Sequence, residues 1–261
     1  MSEPVSILRT ADGSTTLFNS ELKETYHSKN GAISESLHVF LQAGLEYRAG
    51  IDAAEPLRIY EVGFGTGLNA CLTRRWAEEN RRSVIYHTIE SRPLSEQVWS
   101  FLEFPGIPGG ALEELHRAHW DEPVKLSDRF TLFKKHGSFL DAALPSGGID
   151  VVYFDAFAPG KQPEMWQPHL LSRVASAMAP GGVLVTYCAQ GQFKRDLASA
   201  GFAVSGLPID DHACGIERKP ELAATAIPAQ TFQRSQTMDF LPAVTADGTS
   251  GHRRHAIVHI R

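Results

Sequence analysis

Leu57-Arg58-Ile59-Tyr60-Glu61-Val62-Gly63-Phe64-Gly65-Thr66-Gly67-Leu68-Asn69 is the stretch whose reading decides the fold. Leu57 to Val62 is rich in apolar and β-favouring residues and predicts a short buried strand. Three glycines at every second position then break it. Lacking Cβ atoms, they allow a sharp turn and let a ligand lie against bare backbone. A helical run to about Asn80 follows, and the amides that open it point at such a ligand. The pattern predicts a nucleotide-binding strand-turn-helix.

The spacing narrows the ligand. A dinucleotide turn reads G-x-G-x-x-G, whereas here it is G-x-G-x-G, with Leu68 where the third dinucleotide glycine belongs. That argues against a nicotinamide dehydrogenase. Glu61 stands at the strand end, before the glycines, and the resulting E-x-G-x-G-x-G form resembles the first motif of the S-adenosylmethionine-dependent methyltransferases. A carboxylate there is expected to receive the cofactor's ammonium group, directly or through water. A second strand, Ser83 to Ile89, ends in Glu90, roughly 20 residues past the glycines, where an acidic side chain accepts hydrogen bonds from ribose hydroxyls.

Working outward, Ile7 to Phe18 reads as two short strands around Asp12-Gly13, and Ser34-Glu35-Ser36 opens a helix from Leu37 to about Leu45. Residues 1–50 are thus expected to form a strand and helix extension packed on a core of residues 51–261. Beyond Glu90, a helix is expected from Ala111 to about His119, with His116 and His119 as solvated surface residues. Strands follow at Phe130–Phe133, Ile149–Phe154, Val183–Tyr187 and Phe202–Ser205, with helices at about His169–Met178 and Gln192–Ala200. Alternating strands and helices predict a doubly wound, mainly parallel α/β sheet. The loop after the third of these core strands, Lys134-Lys135-His136-Gly137-Ser138, is expected against the adenine ring. Asp155 stands at the carboxyl end of the fourth, the edge that holds the ligand crevice in such sheets. The segment Asp155-Ala156-Phe157-Ala158-Pro159-Gly160-Lys161-Gln162-Pro163-Glu164-Met165-Trp166 sets a carboxylate, two aromatics and a lysine in a loop that its prolines and glycine keep from being helical.

Bulk numbers set the class. The chain has 261 residues, 43% hydrophobic and 21% charged, and reads as a soluble globular protein. No apolar run approaches a membrane span, so no membrane partner is expected. Met1-Ser2-Glu3-Pro4 has no signal-peptide character. The three cysteines, Cys71, Cys188 and Cys214, are far apart and fit reduced thiols in a cytoplasmic protein. A net charge of −5 argues against non-specific binding to DNA or RNA while leaving room for one basic face that docks a structured RNA. His252, His255 and His259 lie at spacings that do not converge in a strand, so no metal site is expected. Glu221 to Ile227 and Ala256 to Ile260 are the strand-like parts of the C-terminal segment.

Four segments make a narrower resemblance. They are Asp12-Gly13-Ser14 with Tyr26-His27-Ser28, Gly31-Ala32-Ile33, Glu35-Ser36 and His38-Val39-Phe40; the glycine turn; Phe154-Asp155-Ala156-Phe157-Ala158-Pro159 with Pro163-Glu164-Met165-Trp166; and Thr186-Tyr187 with Gly191, Lys194-Arg195, Leu197 and Ala200-Gly201-Phe202. Together they resemble the tRNA wobble-uridine 5-methylaminomethyl methyltransferases, of the stand-alone MnmD type or the methyltransferase half of MnmC. Two departures are that Gly137-Ser138 stands where the family usually has glycine and aspartate, and that Glu217-Arg218-Lys219-Pro220-Glu221-Leu222 matches a K-R-E-M-like ending only loosely.

The resemblance implies a Rossmann-like methyltransferase fold with a seven-stranded sheet, and S-adenosylmethionine as cofactor with neither flavin nor metal. The implied reaction is methyl transfer to the amine of 5-aminomethyl(-2-thio)uridine in the anticodon arm of tRNA. Asp155 is the expected catalytic residue. Glu61, Gly63, Gly65, Gly67, Asn69, Glu90, Gly137 and Ser138 are expected to hold the cofactor, and Phe157, Pro159, Lys161, Met165 and Trp166 the extruded base and its backbone. An alternative reading has Phe157 and Trp166 as core residues that hold the loop. Lys194, Arg195, Arg218 and Lys219 are further candidates for phosphate contacts. Competing readings are an aminopropyltransferase on the same fold, acting on a small amine, and a non-catalytic adenosylmethionine- or RNA-binding module.

Overall fold

The computed structural model of the chain describes residues 4–51, 55–145, 148–188, 190–206 and 256–260. The chain opens with an antiparallel three-stranded sheet of β1 (Val5–Arg9), β2 (Thr15–Asn19) and β3 (Glu24–Thr25). Asp12 organises the first turn. Its Oδ1 accepts from Thr10 Oγ1 at 2.6 Å and from Ser14 N at 3.1 Å, and its Oδ2 accepts from Ile33 N at 3.1 Å and Ser34 N at 3.2 Å. One carboxylate therefore ties the hairpin to the start of the next helix, where orphan amides and the helix dipole favour a negative charge.

That helix begins as α1 (Ala32–Ser36), widens into a π-helical segment (Leu37–Glu46) and ends as α2 (Tyr47–Ile51). It is longer than its apolar spacing predicts, because Ala32 and the turns after Leu45 carry no periodic signal of their own. A Cβ on Gly44 would lie 2.9 Å from Val185 Cγ2, so glycine lets the helix approach the sheet closely. Arg48 Nη2 meets Asp150 Oδ1 at 2.9 Å in a buried ion pair, and Asp150 Oδ2 accepts from Arg58 N at 2.9 Å.

The core alternates β4 (Leu57–Val62), α3 (Leu68–Glu79), β5 (Val84–Glu90), α4 (Glu96–Trp99), α5 (Gly109–Arg117), β6 (Pro123–Lys125), β7 (Phe130–His136), β8 (Ile149–Phe154), a 3₁₀ turn (Pro163–Trp166), α6 (Pro168–Ala177), β9 (Met178–Thr186), α7 (Gly191–Ser199), β10 (Phe202–Gly206) and β11 (Ala256–Ile260). The sheet has eight strands in the order β10-β11-β9-β8-β4-β5-β7-β6. β9, β8, β4, β5 and β7 are parallel, while β11 runs antiparallel to both of its neighbours and β6 antiparallel to β7. Seven strands are those expected; β6 adds a short eighth at the edge.

Parallel strands covered by helices on both faces have no wet side. β8 shows the consequence. Val151 and Tyr153 belong to one core with Val39, Phe40, Leu68 and Leu72, whereas Val152 and Phe154 belong to the other with Leu170, Leu171, Val174 and Leu197. Pro180-Gly181-Gly182, expected as a turn before a strand, lies within β9 as an irregularity: the register passes from Ile149↔Met178 to Val151↔Val183. The 3₁₀ turn also departs from the expectation of a wholly non-helical loop, since Pro163 at its first position fits such a turn. Glu217-Arg218-Lys219, the Glu221 to Ile227 strand, Cys214, His252 and His255 lie outside the described residues.

Replacing Asp12 by alanine removes acceptors from both the hairpin and the helix start. The expected cost is about 1–2 kcal/mol of unfolding free energy, as for a lost helix cap. Urea denaturation of Asp12→Ala against the parent checks it.

Candidate active site

The chain turns from β4 to one side of the sheet (β5, β7) and later to the other (β8, β9), so the topological switch lies between β4 and β8. Gly63 and Asp155 leave those two strands side by side. Asp155 N donates to Val62 O at 3.2 Å, and Gly63 N donates to Ile89 O at 3.0 Å. Gly63 has φ 92°, and a Cβ on it would sit 3.2 Å from the Asp155 carbonyl oxygen.

The turn is braced from outside. His27, buried, shares a hydrogen bond of 2.8 Å between its Nε2 and Thr66 Oγ1, and His116 Nε2 donates to Thr66 O at 3.0 Å. His116 stacks on Trp99 at 5.2 Å, and Phe64 meets its edge. It is not the solvated surface residue expected: Phe64 and Trp99 enclose it, and burial lowers its pKa to about 4. Lys134 is also buried, its Nζ donating to the carbonyls of Leu115 and His116 at 2.8 Å each and lying 4.4 Å from the centre of the Trp120 ring.

A cleft of about 450 Å³ opens over the switch point, within the range of small-molecule sites. Of the residues expected to hold a cofactor, Gly63, Gly65, Asn69, Glu90, Gly137 and Ser138 line it. Glu90 Oε2 accepts from Gly65 N at 3.0 Å and its Oε1 from Arg92 N at 2.8 Å, while burial raises its pKa. Gly67 and Glu61 are not on the wall. Gly67 caps α3 with φ 76°, and a Cβ there would meet Phe64 and His116. Glu61 is 1% exposed.

Of the residues expected to meet the acceptor, Asp155, Phe157, Lys161 and Met165 line the cleft and Pro159 and Trp166 do not. Trp166 lies in the core against Phe154 and Phe193, and its Nε1 donates to Phe157 O at 2.8 Å. It anchors the loop from beneath, as the core reading of that residue had it. Phe157 N donates to Gln162 Oε1 at 3.1 Å, and Tyr187 Oη donates to Ala156 O at 2.6 Å. Asp155 Oδ2 accepts from Asn69 Nδ2 at 3.0 Å.

Sequence reasoning did not assign Tyr26, Glu21 or Arg92 to the site. Tyr26 meets Phe157 edge to face at 5.1 Å, and Arg92 pairs with Glu21 at 2.8 Å on the rim. The Tyr26-His27-Ser28 segment was the signal available. Glu21, Glu90, Asp155 and Glu164 stand on the cleft against Arg92 and Lys161. The surplus of carboxyl groups favours a cationic ligand over a pyrophosphate.

Residues 135–209 match the model of a family described as S-adenosyl-L-methionine-dependent methyltransferase. The fold is that of the S-adenosylmethionine-dependent methyltransferases. Within that class, the chain is similar to the tRNA 5-methylaminomethyl-2-thiouridine biosynthesis bifunctional protein MnmC. It is 30% identical to the protein of Ralstonia nicotianae over 255 residues, 93% of this chain and 36% of the relative. It is 29% identical to that of Cupriavidus necator over 98% of this chain and 38% of the relative. The chain thus spans little more than a third of the length of these relatives. Among solved structures, MnmC2 from Aquifex aeolicus superposes with a TM-score of 0.70 at 24% identity, covering 99% of this chain and 71% of that one.

The lowered pKa of His116 has a stability consequence. Between about 6.5 and about 4 the unfolded chain binds a proton that the folded chain does not, so stability falls as pH drops through that window. His116→Gln, which keeps an N–H for Thr66 O but has no proton to gain, is expected to lose less stability over the same window. Denaturation midpoints of the two proteins at pH 7, 5.5 and 4.5 measure the difference.

Proposed function

We propose that this chain transfers a methyl group from S-adenosylmethionine to the primary amine of a 5-aminomethyl(-2-thio)uridine at the tRNA wobble position. The observation that carries the reading is the place of Asp155: a carboxylate on the cleft wall, held by Asn69 and lying beside the glycine turn, two of whose glycines, Gly63 and Gly65, line the same cleft. The similarity to MnmC over 93% of the chain supports the acceptor.

The residues present suit the cofactor. Gly63 and Gly65 put backbone on the cleft wall at the turn, Glu90 faces the cleft where ribose hydroxyls need an acceptor, and Gly137-Ser138 flank the side expected for adenine. When bound, S-adenosylmethionine supplies an electrophilic methyl group on a sulfonium. The chain's own task is then positioning. Asp155 accepts a hydrogen bond from the acceptor amine, aims its lone pair and takes up the proton that leaves the nitrogen. An aspartate of ordinary basicity is a weak base, so orientation is the larger part of its role. Phe157, Met165 and Tyr26 offer apolar faces to an extruded base, and Lys161 at the rim, with Lys194 and Arg195 on α7, supplies charge for phosphates of the anticodon arm.

The test uses labelled S-adenosylmethionine and tRNA from cells lacking this modification, followed by nucleoside analysis. Label in 5-methylaminomethyl(-2-thio)uridine is the expected outcome. Binding of the cofactor with transfer only to small amines would replace the acceptor. Asp155→Ala is expected to lower kcat by about 10²–10⁴-fold, the range of a general acid or base, with cofactor affinity retained.

A further inference from the structure

The cleft wall carries four carboxyl groups and, among the described residues, two Lys or Arg side chains, Arg92 and Lys161. The reaction as described gives Arg92 no task. Arg92 follows β5 and Lys161 follows β8, the two neighbours of β4 in the sheet, so the cations come from both sides of the glycine turn. Arg92 Nη1 donates to Glu21 Oε2 at 2.8 Å, with 72% and 56% of the two side chains exposed. Both backbones are held. Asn19, buried, accepts at its Oδ1 from Glu21 N and Leu22 N at 3.0 Å each, and Glu90 Oε1 accepts from Arg92 N at 2.8 Å. Pro93 narrows the backbone of Arg92 further. An ion pair thus links the N-terminal hairpin to the loop after β5 at the rim, and the same N-terminal segment brings Tyr26 to Phe157.

The charges on the wall suit one part of the acceptor and oppose another. Carboxylates attract a sulfonium and an aminomethyl group. A nucleotide whose base enters the cleft also brings a phosphodiester on each side of its sugar, and these need cations at the rim. A guanidinium presents its donors in a planar fork that fits two phosphate oxygens, and such charge-assisted pairs are strong. The exposed pair with Glu21 is a weak one, because water and salt screen it and two long side chains lose freedom in forming it. Glu21 is therefore replaceable. It is also a competitor, since its charge occupies the guanidinium and repels an incoming phosphate.

We propose that Arg92 is a phosphate-docking residue for the acceptor. It binds a phosphodiester next to the extruded uridine, and Glu21 is an internal stand-in that holds the guanidinium at the rim until the phosphate displaces it. The inference rests on the tRNA acceptor proposed above.

Removing either partner breaks the same ion pair, yet the two changes act oppositely on the acceptor. Methylation rates against tRNA concentration, at saturating S-adenosylmethionine, compare the parent with Arg92→Met, Arg92→Lys and Glu21→Gln. Arg92→Met is expected to raise the KM for tRNA about tenfold, the loss of one charge-assisted contact, with kcat unchanged. The slope of log KM against log salt is expected to fall by about one. Arg92→Lys, which keeps the charge but not the fork, is expected to recover part of the loss. Glu21→Gln is expected to lower the KM. Calorimetric titration with S-adenosylmethionine is expected to give the parent's affinity in all three variants, which also shows that they are folded. A KM raised alike in Arg92→Met and Glu21→Gln overturns the proposal, because the pair then only holds the hairpin. An unchanged KM in Arg92→Met overturns it too, as does weakened cofactor binding, which would make Arg92 a cofactor residue. These outcomes leave the proposed function standing, whereas absence of tRNA methylation by the parent overturns that function and this inference together.

Discussion

The close passage of β4 and β8 is the constraint on which the site depends. These strands are parallel neighbours, and their ends deliver Gly63 and Asp155 to adjacent positions. With φ 92° and a would-be Cβ 3.2 Å from the Asp155 carbonyl oxygen, a side chain at position 63 is strained and presses on the neighbouring strand end. The separation between the glycine turn and the candidate catalytic carboxylate is therefore set by backbone pairing in the middle of a sheet. Sites on rigid elements hold geometry better than sites on loops, and a transfer that needs an in-line approach depends on that geometry.

The loop after Asp155 is kept from wandering by a different means. Trp166 fills the core below it and reaches up to the Phe157 carbonyl, Gln162 receives the Phe157 amide, and Tyr187 holds the Ala156 carbonyl. Three side chains thus fix the backbone on either side of Phe157 while its ring stays on the cleft. The aromatic density of the Asp155–Trp166 segment serves both surfaces: Phe157 and Met165 line the cleft, and Trp166 faces the core.

Legibility in the sequence followed the strength of local patterns. Leu57–Val62, Val84–Glu90 and Ile149–Phe154 are dense apolar runs between turn signals, and all three are strands. β6 has no such pattern: its three residues lie at an edge with two of them exposed. Pro180-Gly181-Gly182 normally ends a strand, so the sequence alone starts this strand at Val183, whereas β9 begins at Met178 and its pairing with β8 resumes after an irregularity. In the site, residues next to glycines or strand ends were legible, since the sheet topology places them. Those that depended on which way a side chain turns were not. Glu61 and Trp166 sit at legible positions yet point into the interior, and His116 is enclosed by Phe64 and Trp99 from elsewhere in the chain. Side-chain direction on a strand follows the pleat, so a one-residue difference separates wall from core: Val62 lines the cleft and Glu61 does not.

The residues ahead of β4 bear on the site as much as those after it. Tyr26 lies within 3.3 Å of the position a Cβ on Gly65 would take, and His27 reaches Thr66. Both come from the chain between β3 and α1, whose entry is fixed by Asp12 through the hairpin and the first helix amides. A break at Asp12 therefore reaches the glycine turn through two side chains, although Asp12 itself is not on the cleft. Tyr26 also supplies the ring that meets Phe157, so the proposed base-facing surface is assembled from two segments over a hundred residues apart. The parallel sheet provides the glycine turn and Asp155, and the aromatic that opposes Phe157 is brought by a segment outside that sheet.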